Sequence, residues 1–142
     1  MKLKLAGIII SIVILLPVIS STTLADQPQI SITDVELQRW SILKTLFMVG
    51  VEHDGDEIVD NAVCMIHLEG RFLWNGHNAD HPFSYIEPDT IYWFMIPNKV
   101  RGMGRITIDV SVGIIDDFDF IEHDQMTLDA IVLFHRVILM PS

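Results

Sequence analysis

The sequence predicts an all-β domain of two packed sheets behind an N-terminal export segment, and three features carry that reading. Gly104-Arg-Ile-Thr-Ile-Asp-Val-Ser-Val112 alternates apolar with polar residues over most of its length. Turn-forming residues recur between short runs rich in Val, Ile, Thr and aromatic side chains. No segment shows sustained helical spacing bounded by caps. Alternation of period two puts one face of an extended chain in a core and the other in water, whereas a helix would need a period of about 3.6.

The first 25 residues read as an export signal. Met1-Lys-Leu-Lys is a basic start, Leu5 to Ile19 is an almost uninterrupted apolar run, and Thr23-Leu24-Ala25 offers small side chains at a cleavage site. The run falls short of the ~20 apolar residues of a spanning helix. Cleavage is favoured because Pro17 and the Ser/Thr cluster end the run early; the alternative is an uncleaved membrane anchor, the one membrane contact expected. Residues 26–142 then make a single domain outside the cytoplasm, extracellular or at the cell surface.

Within that domain, Ile30-Ser-Ile-Thr-Asp-Val35 reads as a first strand. Lys44 to Glu52 reads as a second, with Thr45, Phe47, Val49 and Val51 on one face. Ala62 to Leu68 follows, with Ala62, Cys64, Ile66 and Leu68 inward. Arg71 to Tyr85 carries Asn75, Gly76, Asn78 and Pro82 and reads as a loop holding one short strand at most. The Glu87-Pro88-Asp89 turn leads into a strand over Thr90 to Ile96, ended by Pro97-Asn98. Gly104 to Val112 presents Ile106, Ile108, Val110 and Val112 to the core. Thr127 to Met140, apolar on both faces, reads as a strand ahead of a helix. About seven short strands separated by turn signals describe an immunoglobulin-like two-sheet β-sandwich.

Without Lys2 and Lys4 the domain holds 7 basic against 19 acidic residues, a formal charge of −12. Such a surface repels phosphate backbones and anionic lipid, which argues against nucleic acid as a partner. Cys64 is the only cysteine, so no intrachain disulfide can form and the apolar core must hold the fold alone. Pointing inward, the thiol would be inert.

Val49-Gly-Val-Glu-His-Asp-Gly55-Asp56, Asn61-Ala-Val-Cys-Met-Ile-His-Leu-Glu-Gly70, Ile86-Glu-Pro-Asp and Gly104-Arg-Ile-Thr-Ile-Asp-Val110 together resemble the exported immunoglobulin-like domains of archaea and bacteria, most nearly the cell-adhesion-related domain called CARDB. The resemblance spans Ile30 to Met140 and consists of turn chemistry. It implies a cell-surface or secreted non-enzymatic module and carries over no catalytic residue.

Two acidic clusters are candidate cation ligands: Glu52-His-Asp-Gly-Asp-Glu57 with Asp60, and Asp116-Asp-Phe-Asp119 with Glu122 and Asp124. In a sandwich, the loop after the second strand and the loop before the last share a pole, so Asp54, Asp56, Asp60, Asp116, Asp117 and Asp119 would converge as an oxygen-rich Ca²⁺ site. The competing reading makes them solvated turns. His77, Asp80 and His81 form a second, weaker set, suited to Zn²⁺ and a small hydrolase. His53 and His123 fall among carboxylates that would favour their protonated forms. The crowded aromatics Phe72, Trp74, Phe83, Tyr85, Tyr92, Trp93 and Phe94 are either core or an exposed platform for a sugar or a protein. Lys99, Arg101 and Arg105 should lie at the pole opposite the acidic loops. No nucleophile with a paired base stands out. The expected role is a non-catalytic binding or adhesion-type module, with a calcium-stabilised module as the alternative.

Overall fold

The computed structural model describes residues 30–142, side chains of residues 82 and 83 aside, so the expected signal or anchor helix lies outside the described residues. Nine strands make up the described chain, with no helix among them. They are β1 (Ile30–Arg39), β2 (Thr45–His53), β3 (Val59–Glu69), β4 (Leu73–Asn75), β5 (Asn78–Ile86), β6 (Tyr92–Asn98), β7 (Arg101–Asp116), β8 (Asp119–Phe134) and β9 (Arg136–Leu139). One sheet has the order β1-β2-β6; the other runs β5-β3-β7-β8-β9, with the short β4 also paired to β7. All pairings are antiparallel.

Period-two patterning fills the space between the sheets. Phe47, Val49 and Val51 of β2, with Phe94 and Ile96 of β6, face Cys64, Ile66 and Leu68 of β3 and Ile108, Val110 and Val112 of β7 in one buried cluster. These are the inward positions expected for β2, β3 and β7. Burial pushes the Cys64 thiol up to about 12, which leaves almost no thiolate at neutral pH.

The β1 strand runs four residues beyond its expected end because Thr33 is an extra residue in the ladder, Ile32 pairing with Val51 and Asp34 with Gly50. A bulge shifts the phase by one, so Ile30 and Ile32 point inward before it and Val35 and Leu37 after it. A second bulge lies in the β7–β8 ladder, where Val112 pairs with Asp124 and Gly113 with Glu122, leaving His123 as the extra residue. It aims two side chains at the free edge of β1. Ile30 N–H donates to His123 Nδ1 at 3.1 Å and Ile32 N–H to Asp124 Oδ2 at 2.8 Å, which ties the two sheets together. At the other end, Asn98 Nδ2 donates to the Gly76 carbonyl at 2.9 Å.

Three expectations are corrected. The segment Arg71 to Tyr85 is not a loop: most of it is β5, paired along β3, with β4 before it. Residues 116–124 are not a loop before the last strand, since β7 and β8 are 16 residues each and meet in a two-residue turn at Asp117-Phe118. Nor is Thr127 to Met140 one strand; it breaks at Phe134-His135 into the end of β8 and the four-residue β9. The free edges are β1, β6, β5 and β9. Besides the seal on β1, β5 contains Pro82 and β6 contains Pro97, neither with an N–H to offer.

Candidate binding surfaces at the two poles

Strand polarity sorts the basic residues. Lys2 and Lys4 apart, every lysine and arginine lies toward one end of the sandwich. Arg39 closes β1, Lys44 precedes β2, Arg71 follows β3, Lys99 and Arg101 flank the β6–β7 connection, Arg105 lies early in β7, and Arg136 opens β9. At the opposite end stand Glu52, Asp54, Asp56, Glu57, Asp60, Glu87, Asp89, Asp116, Asp117, Asp119 and Glu122. The two acidic loops therefore share a pole. The expected positions of Lys99, Arg101 and Arg105 hold.

At the acidic pole, Asp54 and Asp56 occupy the β2–β3 connection, Asp60 the start of β3, Asp116 the end of β7, Asp117 the turn and Asp119 the start of β8. Among the described residues, no group of three or more His, Cys, Asp or Glu side chains is gathered to hold a metal ion. The pole's most distinctive feature is its tip. Asp116 pairs with Asp119, and the two turn residues Asp117 and Phe118 have φ of 47° and 68°. Two left-handed residues in a two-residue hairpin match the strand twist and favour Asn-Gly or Asp-Gly. Phe118 takes the glycine position, at a cost of about 1 kcal/mol, and is 100% exposed. A bulky residue strained into that conformation without burial points to a role outside the fold.

His53 and His123 both sit at this pole. His53 is buried, its Nδ1 accepting the Gly55 N–H at 3.1 Å, while Nε2 has no hydrogen-bond partner among the described residues. For His123 the expected direction reverses: burial pushes it below the usual imidazole range, outweighing the upward pull of Asp54. Its Nδ1 is also the acceptor for Ile30, so protonation there would break the tie to β1. The unfolded chain takes up this proton near the ordinary value of about 6.5, the folded chain only at lower pH. The stabilisation is thus complete above about 6.5 and is lost as pH falls through the depressed folded value. The melting temperature is expected to drop on acidification through that window, less so in His123→Asn, whose amide oxygen can accept the same N–H without titrating. An identical drop in both proteins would remove His123 as the cause.

The basic pole is apolar as well as charged. Trp40, Ile42 and Leu43 are exposed in the β1–β2 turn, Phe72 and Trp74 around β4, and Leu133 and Phe134 at the end of β8. The Arg71 guanidinium lies 5.3 Å from the Phe72 ring centre and that of Arg101 5.8 Å from Trp74, contacts that orient the aromatic side chains. Leu133 pairs with Arg136, so Phe134 and His135 form another two-residue turn, with Phe134 at φ 59°. Between this turn and the end of β1 lies a groove of about 600 Å³, floored by Leu37, Val137 and Leu139 and bordered by Arg39 and Arg136.

Of the seven aromatics weighed as one platform, Phe94 is core and Tyr92 packs against it, ring centres 5.0 Å apart. Trp93 lies over Gly50, where an added Cβ would come within 3.0 Å of the indole. Tyr85 is exposed on β5, away from Phe72 and Trp74. The His77, Asp80, His81 set does not gather. On β5, Asp80 is exposed while His81, on the other face, meets the Phe94 ring edge-on at 5.6 Å and lies 3.1 Å from Ser84 Oγ. His77 uses its carbonyl to accept the Leu68 N–H at 2.7 Å.

Sequence reasoning missed Phe118, Phe134, Trp40 and Ile42 as surface groups. A usable signal for the first was an aromatic flanked by three aspartates, which no core position accommodates. No protein-family model matches the chain, and no curated protein matches it.

Proposed function

We propose that the chain is an exported, non-catalytic binding or adhesion-type module with an immunoglobulin-like sandwich, and that its basic, aromatic pole is the recognition surface. What supports the fold assignment is strand order. With β4 and β9 set aside, β1-β2-β6 stands where strands A, B and E do, and β5-β3-β7-β8 where C′, C, F and G do. The CARDB resemblance is of the same architectural kind and adds an adhesion role by analogy.

The observation that carries the function is the basic pole itself. Trp40, Ile42, Leu43, Phe72, Trp74 and Phe134 are all exposed at one end of a small domain, the kind of apolar surface that marks interaction sites, and arginines hold two of the rings. Trp, Tyr and Arg are the side chains that dominate binding energy at protein interfaces, and Trp also stacks on sugars. The test is adhesion of beads coated with the exported protein to the cells that produce it, wild type against the double replacement Trp40→Ala, Trp74→Ala. At least a tenfold loss of adhesion is expected from two such anchors. Equal adhesion by both, with both folded, would sink the assignment of this pole.

A further inference from the structure

We propose that the protein associates head to tail, the β7–β8 tip of one copy seating Phe118 in the groove at the basic pole of the next. This rests on the reading of that pole as a binding surface and names its partner as a second copy of the chain.

Three independent observations meet here. The tip is a narrow two-residue turn whose one apolar side chain is wholly in water, held in a backbone conformation that glycine would adopt more readily. Exposed Asp116, Asp117 and Asp119 surround it. The groove offers the complement: an apolar floor of Leu37, Val137 and Leu139, room for a hairpin tip in its roughly 600 Å³, and Arg39 and Arg136 at its border. Finally, among the described residues no lysine or arginine stands near the tip, whereas seven gather around the groove's pole. Complementary potentials of this kind steer encounter and fix orientation.

The fold forbids a closed arrangement within one molecule. Tip and groove lie at opposite ends of the same β7–β8 hairpin, whose 16-residue strands span about 50 Å. The tip can reach only another copy's groove. Such a contact is heterologous, and each open assembly keeps one free tip and one free groove for the next copy. Exposed charges contribute little each and are screened by salt, so assembly should be reversible, dependent on concentration, and weakened by added salt.

The test uses sedimentation of the exported protein at about 0.01 M and about 1 M ionic strength, with two variants. Phe118→Gly removes the knob and relieves the turn, so its melting temperature should match or exceed that of the wild type. Arg39→Glu with Arg136→Glu reverses the groove's charge and leaves the tip intact. Wild type is expected to form a series of species growing with concentration at low salt, and each variant alone to stay monomeric.

A mixture of the two variants keeps one good tip and one good groove, and should give a one-to-one dimer that grows no further. The sequence before Ile30 is the same in all three proteins, so it cannot produce a difference between them. Association of Phe118→Gly equal to the wild type, or no dimer in the mixture, would overturn the contact. No self-association in any protein, with bead adhesion retained by Phe118→Gly, would also overturn it while leaving the basic pole as a binding surface for another partner. Equal binding of wild type and Phe118→Gly to vesicles rich in anionic lipid, without self-association, would assign the pole to a lipid surface instead.

Discussion

Phe94→Ala is expected to lower the melting temperature by about 15–20 °C, the largest effect of any single side-chain truncation considered. Phe94 is 0% exposed at the centre of β6, where it packs edge-on against both Tyr92 and His81. Removing a buried phenyl ring costs about 3–5 kcal/mol through lost burial and the cavity left behind. Each kcal/mol moves the midpoint of a domain this size by about 4–5 °C. Cys64, the one cysteine, is free and buried, so the apolar core holds the fold without an intrachain disulfide. Thermal unfolding followed by circular dichroism measures the effect. A shift under about 4 °C would mean that β6 does not close the core as described.

Gly113→Ala is expected to rank second, at about 2–4 kcal/mol, and to act at a distance. A Cβ at this position would lie 2.0 Å from the Ile121 carbonyl oxygen and 3.0 Å from the Phe120 ring. Backbone cannot yield as a flexible side chain does, so β8 must move off β7 at the bulge. That displaces His123 and Asp124, and the N–H groups of Ile30 and Ile32 lose their acceptors. The signature is twofold: a lower melting temperature, and faster hydrogen exchange at Ile30 and Ile32 than at the β2 amides beside them. Destabilisation with those two amides still protected would show that the bulge does not control the seal on β1.

What the sequence made legible follows from where burial is one-sided. The inward faces of β2, β3 and β7 could be read from alternation alone, because each of these strands presents one face to the core. Cys64 could be placed inside for the same reason. The end-to-end separation of charge was visible in part, since Lys99, Arg101 and Arg105 cluster next to a recognisable strand end. Three features escaped, each because its cause is not local. The bulge at Thr33 inverts the alternation halfway along β1, so Val35 and Leu37 look out of phase with Ile30 and Ile32. The turn at Phe134-His135 contains no Gly, Asn or Pro, so nothing punctuates the chain where it reverses, while at Asp117-Phe118 the run of aspartates marks a turn but not that it is only two residues long. The β5 strand begins among Gly, Asn and His and contains Pro82; pairing along β3 overrides that local signal, as an edge strand permits.

Of the candidate site, the shared acidic pole was legible because loop position follows from strand order. The contrary behaviour of His123 was not, because its burial depends on a bulge that aims it at another strand. The basic, aromatic pole was half legible. Lys99, Arg101 and Arg105 could be read there, but Arg39 and Arg136 lie far from them in sequence, Trp40 and Ile42 in a short turn and Phe134 inside what looked like one continuous strand.

The sealed edges have a consequence for crowding. Amyloid growth begins when an unpaired strand offers its N–H and C=O row to another chain, and a β-rich protein concentrated at a surface is exposed to that risk continually. Here β1 has two of its outward N–H groups already occupied, β5 and β6 each lack one at a proline, and β9 is four residues long. The free edges of the described strands are therefore interrupted templates for cross-β recruitment. High local concentration should yield ordered, dissociable arrays of intact domains, and dilution should return every copy to solution unchanged.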